Sequence, residues 1–343
     1  MKYNFIALII LCCLINSGCT NEKTSKDLLT LQGETMGTTY VVKVVRNSDK
    51  INYDSIKQQI DILLGGLNNH LSTYINDSEL SLFNSYQKTD WFAVSEDLAT
   101  IMAEAKRLGE LSGGVFDITI GPLVNLWGFG PELRPTKIPS AEEISHRKTV
   151  IGLEKLEIRL EPPALKKAIP ELYCDLSAIA KGFGVDKIAE YLDSIGCRNF
   201  LVEIGGEVRT KGNNHQGKKW AIGIASPDEN RIIQKVLEIS NLSMATSGDY
   251  RNYFEQDGQR YSHIIDPRTG RPIIHKLLSV TVIHESCMTA DGLATAISVM
   301  GPEKGFDFAL DNNIALYIIE KAGENFIEKK TPAFDKNVNI SIY

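Results

Sequence analysis

From Leu31 to Val45 the chain ends in the β-branched run Tyr40-Val41-Val42-Lys43-Val44-Val45, and the stretch predicts a pair of strands. Between Ile51 and Leu71 the period lengthens. Ile56, Ile60, Leu63, Leu64 and Leu67 recur at the spacing of one helix face. The same spacing returns from Ser95 to Ser112 in Leu98, Ile101, Met102, Ala105 and Leu108, with Ser95 as N-cap and Glu96 and Asp97 in the first turn. Pro131 to Pro139 reads as a loop, Ser140-Ala141-Glu142-Glu143 as a helix start, and Leu156 to Leu160 as a strand. In the second half, strand patterns come first: Phe200 to Ile204, Trp220 to Ile224, Val236 to Ile239 and Leu278 to Ile283. Ala290 to Met300 is an apolar helix. Helices alternating irregularly with antiparallel-looking strands predict an α+β fold, with mixed, mainly antiparallel sheets and packed helices. No G-x-G-x-x-G follows a strand, which argues against a Rossmann site.

The N-terminus departs from this pattern. Met1-Lys2 precedes an almost unbroken apolar run from Phe5 to Ile15, too short to span a bilayer and fitting a secretory signal. Ser17-Gly18-Cys19 follows, then the polar Thr20-Asn21-Glu22-Lys23. This looks like a bacterial lipoprotein signal in which Cys19 is lipidated, although Asn16 stands where leucine is usual. An ordinary cleaved signal with an incidental cysteine is the other reading. The expected organisation is a signal peptide over 1–18, a tether over 19–30 and a folded domain over 31–343. A net charge of −6 argues against a nucleic-acid partner. Cys12, Cys13 and Cys19 belong to the signal region. Cys174, Cys197 and Cys287 remain, in no zinc-like spacing, and free buried thiols are the plainer reading.

Chemistry concentrates in a few segments. Asp175-Leu176-Ser177-Ala178-Ile179-Ala180-Lys181-Gly182-Phe183-Gly184 sets a carboxylate, a hydroxyl and a lysine among small residues. Helical spacing follows in Val185, Ile188, Ala189 and Leu192, so the polar cluster sits where a loop enters a helix, a place that attracts phosphate. Asp291 and Thr295 lie four apart on one predicted helix face. An oxygen-only pair suits a hard cation such as Mg2+, and the bland alternative is a capping Asp with a Thr bonded back to a carbonyl. Tyr261-Ser262-His263-Ile264-Ile265 reads as a strand delivering His263 to one face, in a structural or a direct role. Gly114 to Gly130 mixes a strand-like run with aromatics, either a buried strand and turn or a wall against a flat ring system. Glu34 to Tyr40 is either an edge strand or a Met36 lid.

Taken together, these segments resemble the ApbE family of FAD:protein FMN transferases. The resemblance rests on Met36-Gly37-Thr38-Thr39-Tyr40, Leu71-Ser72-Thr73-Tyr74, Phe116 to Gly130, Asp175 to Gly184, Glu203-Ile204-Gly205-Gly206-Glu207, Ala245 to Tyr250, Ser262 to Pro272 and Thr289 to Thr295, in order along the chain. It implies that the FAD site lies in a cleft between two subdomains. It implies transfer of FMN from FAD to a threonine or serine hydroxyl of a target protein by a phosphoester bond, with release of AMP and dependence on Mg2+. Met36, Tyr74, Val115, Phe116, Asp117, Asp175, Lys181 and Ile264 correspond to FAD contacts. The carbonyl of Ala178, with Asp291 and Thr295, corresponds to the metal site. His263 and Asp291 are both candidates for the group that takes the acceptor's proton. Implied partners are membrane redox-pump subunits or other exported flavoproteins, met by an enzyme anchored through its lipid and facing the periplasm or exterior. The same site leaves open hydrolysis of FAD to FMN and AMP, and a non-catalytic flavin-binding lipoprotein.

Overall fold

Alternating apolar positions build one antiparallel sheet that recurs through the chain. The structure, a computed structural model, describes residues 27–46, 51–131, 137–225, 233–248, 253–256, 259–323 and 325–342. Eight strands lie side by side in sequence order: β1 (Leu28–Thr35), β2 (Thr38–Val45), β3 (Phe200–Ile204), β4 (Glu207–Lys211), β5 (Ser243–Ser247), β6 (Leu277–His284), β7 (Ala315–Ala322) and β8 (Asn325–Lys330). Every neighbouring pair is antiparallel. Between β2 and β3 the chain forms α1 (Ile56–Leu71), α2 (Glu79–Ser85), α3 (Glu96–Leu111), α4 (Gly121–Leu126), α5 (Ala141–Lys148) and α6 (Ala180–Ser194). Between β6 and β7 come α7 (Cys287–Met300) and α8 (Pro302–Asp311), and α9 (Pro332–Asn337) follows β8.

The two-residue period of the strands divides the core. Tyr40, Val42 and Val44 of β2 and Phe200, Val202 and Ile204 of β3 meet Ile56, Ile60 and Leu64 of α1 and Val185, Ile188 and Leu192 of α6. Further along that face, Val280, Val282, Leu316 and Ile318 pack with α3 and α7. Their odd-numbered and even-numbered neighbours turn the other way: Leu201, Val208, Ile283 and Tyr317 cover Trp220, Ile222, Leu237 and Ile239 of a three-stranded sheet, with Phe334 of α9. Each such buried side chain contributes roughly 1.5–3 kcal/mol relative to exposure.

The expected signal peptide, Cys19 and the tether up to residue 26 lie outside the described residues, as do Asp249 and Tyr250. Part of the stretch expected as tether falls in the folded domain. Leu28 pairs with Val45 and Leu29 with Val44, so residues 28–30 belong to the sheet. Two further expectations are corrected. The strand-like run after Gly114 is a 3-10 turn over Ile118–Ile120 leading into α4: Asp117 accepts the Thr119 N–H at 2.8 Å and Pro122 occupies the first helical turn. Nor is Tyr261 to Ile265 one strand. It breaks after Ser262, whose hydroxyl accepts the Ile264 N–H at 3.2 Å, and Ile265–Asp266 then pairs with Arg271–Pro272. Among the described residues no helix is long and apolar enough to cross a membrane.

Candidate active site

Small residues let α6 and α7 approach closely. A Cβ on Gly182 would stand 2.4 Å from the Cys287 carbonyl oxygen and 2.8 Å from the Asp291 Cβ, so only glycine fits this crossing. The approach allows the Gly182 N–H to donate to Asp291 Oδ2 at 3.0 Å. Three more contacts fix the start of α7. The Ser286 hydroxyl caps it, accepting the Thr289 N–H at 3.2 Å. Asp186 of α6, buried, accepts the Cys287 and Met288 N–H groups, each at 3.0 Å, and the Ser286 hydroxyl at 2.7 Å. Thr289 donates to Glu104 of α3 at 2.7 Å. Asp291 is therefore an interior helix residue, and the capping alternative is excluded.

α7 presents Asp291, Thr295 and Val299, one turn apart, to a cavity of about 360 Å³. Asp175, Ser177, Ala178 and Lys181 face it from the turn that starts α6. That turn is shaped by Asp175, which accepts the Ser177 N–H at 2.8 Å, and is tied to the 3-10 turn by the Asp175 N–H donating to the Ile118 carbonyl at 2.7 Å. Val115, Phe116, Asp117 and Val124 form one wall, and His263, Ile264 and Ile265 another. The wall is apolar where Val115, Ile264 and Val299 pack together.

Ten of the twelve residues that the resemblance implies for flavin, metal or proton transfer meet in this cavity: Val115, Phe116, Asp117, Asp175, Ala178, Lys181, His263, Ile264, Asp291 and Thr295. Met36 and Tyr74 do not line it. Met36 occupies the β1–β2 turn with φ +50° and lines a neighbouring groove, its side chain reaching α6 beside Gly184. Tyr74 is exposed and donates to the Phe129 carbonyl at 3.2 Å. Partial burial and then the nearby Asp175 carboxylate raise its hydroxyl pKa.

One central residue carries no role that the sequence pattern predicts. Gly205 and Gly206, at φ +58° and +107°, make the tight turn between β3 and β4, and the next residue, Glu207, enters the cavity 2 % exposed. Its Oε2 lies 2.9 Å from Lys181 Nζ, an ion pair rather than an aligned hydrogen bond. Lys181 Nζ lies 3.8 Å from Asp291 Oδ1. The available signal was an acidic residue directly after a Gly-Gly pair between two strand patterns. Ser177, the hydroxyl of the polar loop before α6, lines the cavity too, as do Thr246, Ser247 and Gly248.

Charge in this cluster is unbalanced: two buried carboxylates face one ammonium. Burial, then Lys181 and Asp291 acting in opposite senses, leave Glu207 above the usual carboxylate range. Burial raises Asp291 too, against the pull of Lys181 and the Gly182 N–H. Burial would lower Lys181, but both carboxylates outweigh it and hold the ammonium charged. Asp117, away from this trio, is raised by burial despite hydrogen bonds from Thr119. Among the described residues no group of three or more His, Cys, Asp or Glu side chains is poised to hold a metal. The available donors are the Asp291 carboxylate, the Thr295 hydroxyl and the Ala178 backbone. Hard oxygens beside surplus negative charge suit a divalent cation that also takes phosphate oxygens, and exclude a soft, thiolate-type centre.

The chain matches the model of the ApbE family over residues 36–318. It is 50% identical to the FAD:protein FMN transferase of Vibrio cholerae over 322 residues, covering 94% of this chain and 95% of that protein. Its identity to the FAD:protein FMN transferase of Escherichia coli strain K12 is 40% over 311 residues, or 90% and 88% of the two chains. The solved flavin transferase ApbE from Vibrio cholerae superposes with a TM-score of 0.85 at 48% identity, covering 91% of this chain and 99% of that one. The apo flavinyl transferase ApbE of Pseudomonas stutzeri gives 0.84 at 40% identity, with 91% and 97% covered. Sequence agreement along nearly the whole length and agreement in fold lead to one conclusion: the chain belongs to the ApbE family.

Proposed function

We propose that this chain transfers FMN from FAD to a threonine or serine hydroxyl of a target protein, forming a phosphoester and releasing AMP. The observation that carries the reading is the juxtaposition, in one cavity, of an apolar wall suited to a flat ring and the Ala178–Lys181–Asp291–Thr295 cluster suited to a pyrophosphate. The acceptor oxygen attacks the FMN phosphorus. The bond from that phosphorus to the bridging oxygen breaks, and AMP leaves with the electron pair. Asp291, Thr295 and the Ala178 carbonyl would hold Mg2+, which when bound neutralises charge on the pyrophosphate and on the departing phosphate.

The remaining work falls to side chains. Lys181 supplies a fixed positive charge beside the phosphates. Asp291 has one oxygen taken by the Gly182 N–H, and its other oxygen, facing Lys181, is the one a metal would use, so Asp291 is poorly placed to take a proton. His263, which lines the same cavity, is the better candidate to accept the acceptor's proton. Export and a lipid anchor at Cys19 belong to the same proposal, supported by the apolar run from Phe5 and by Ser17-Gly18-Cys19. The acceptors are then membrane redox-pump subunits or other exported flavoproteins with an exposed threonine or serine. Asp291→Ala tests the metal role: transfer is lost while FAD binding weakens less, and unchanged flavinylation would refute it.

A further inference from the structure

Asp291 has one oxygen committed and one available. Oδ2 accepts the Gly182 N–H at 3.0 Å, and Oδ1 faces Lys181 Nζ at 3.8 Å, beyond hydrogen-bond reach. A half-buried ammonium beside a buried carboxylate would ordinarily close that gap, since direct pairing offsets the desolvation of both charges. Lys181 does not close it because Glu207 Oε2 holds Nζ at 2.9 Å. Glu207 is held in place: it follows the tight Gly205–Gly206 turn and is 2 % exposed, whereas Lys181 keeps about a third of its side chain open to the cavity.

We propose that Glu207 is a positioning residue that keeps Lys181 off Asp291 Oδ1, so that this oxygen stays open to the divalent cation. The inference rests on the reading of Asp291 as a metal ligand. Without the Glu207 carboxylate at its native reach, Lys181 moves onto Asp291 and competes with the metal. Residues that orient a ligand in this way typically change metal affinity about 10–100-fold when altered.

The test is Mn2+ binding to the full chain without flavin, followed by electron paramagnetic resonance, with thermal melting as a control for folding. Glu207→Gln weakens Mn2+ at least about tenfold. Glu207→Asp keeps the charge but shortens the reach, and it also weakens Mn2+. Adding Lys181→Met to either variant restores binding toward wild type, because the competitor is gone. Lys181→Met alone binds Mn2+ at least as tightly as wild type, and this variant decides the matter if the Glu207 variants do not fold. Unchanged affinity in Glu207→Asp would assign the effect to charge alone and overturn the positioning role, as would failure of Lys181→Met to restore binding. Absence of Mn2+ binding to the wild type would instead overturn the metal reading on which the inference stands.

Discussion

Gly182 donates its backbone N–H to the Asp291 carboxylate at 3.0 Å, joining two helices whose residues are far apart in sequence. The bond makes the first turn of α6, with Lys181, and the metal-facing side of α7 one rigid unit. A site built this way is sensitive to the spacing between the helices more than to any exposed group.

Gly182→Ala tests that dependence. The added methyl meets the Cys287 carbonyl oxygen at 2.4 Å, and backbone cannot rotate away as a side-chain tip can. The helices separate, at a cost of about 1–3 kcal/mol in stability. Chemical denaturation should show that loss together with a collapse of transfer. Wild-type stability with full activity would show that the crossing tolerates a side chain.

Asp117 supplies a pH test. Burial raises its pKa above the ordinary carboxylate value, so the folded chain binds this proton more tightly than the unfolded chain does. Stability from this group is therefore present at low pH. It is lost as pH climbs from the ordinary carboxylate pKa, about 3.9, through the raised folded value. Asp117→Asn removes the penalty while keeping an oxygen for Thr119. Its melting temperature relative to wild type should rise as pH goes from 4 to 7. A difference that stays constant across that range would contradict the account.

His263→Gln addresses the proton acceptor. Removing a general base typically costs about 10²–10⁴-fold in rate. The loss should appear in kcat, with the KM for FAD little changed, and the limb of the pH–rate profile belonging to the imidazole should vanish. A variant retaining wild-type kcat would return the assignment to another group.

Much of the site is legible in the sequence because it depends on local rules. Asp291 and Thr295 share a face by helical spacing alone, and Asp175 to Gly184 reads as a loop entering a helix because hydrophobic periodicity starts just after it. Glu207 is not legible in this way. Its role arises only when the β3–β4 turn returns the chain beside α6, a pairing set by sheet register. The run after Gly114 alternates like a strand, yet the Asp117 side chain and Pro122 redirect it into turns. His263 is misplaced for a similar reason: the Ser262 hydroxyl takes a backbone N–H that a continuous strand would have used otherwise. In each case a short side-chain bond to the backbone overrode the pattern of apolar residues.

The central claim is the fate of the flavin phosphate. The chain should be incubated with FAD, Mg2+ and an exported flavoprotein carrying an exposed threonine, and both covalent flavin on that protein and released AMP quantified. The account predicts one protein-bound flavin, stable to denaturation, for each AMP formed. AMP released together with free FMN, and an acceptor that stays unlabelled, would contradict it.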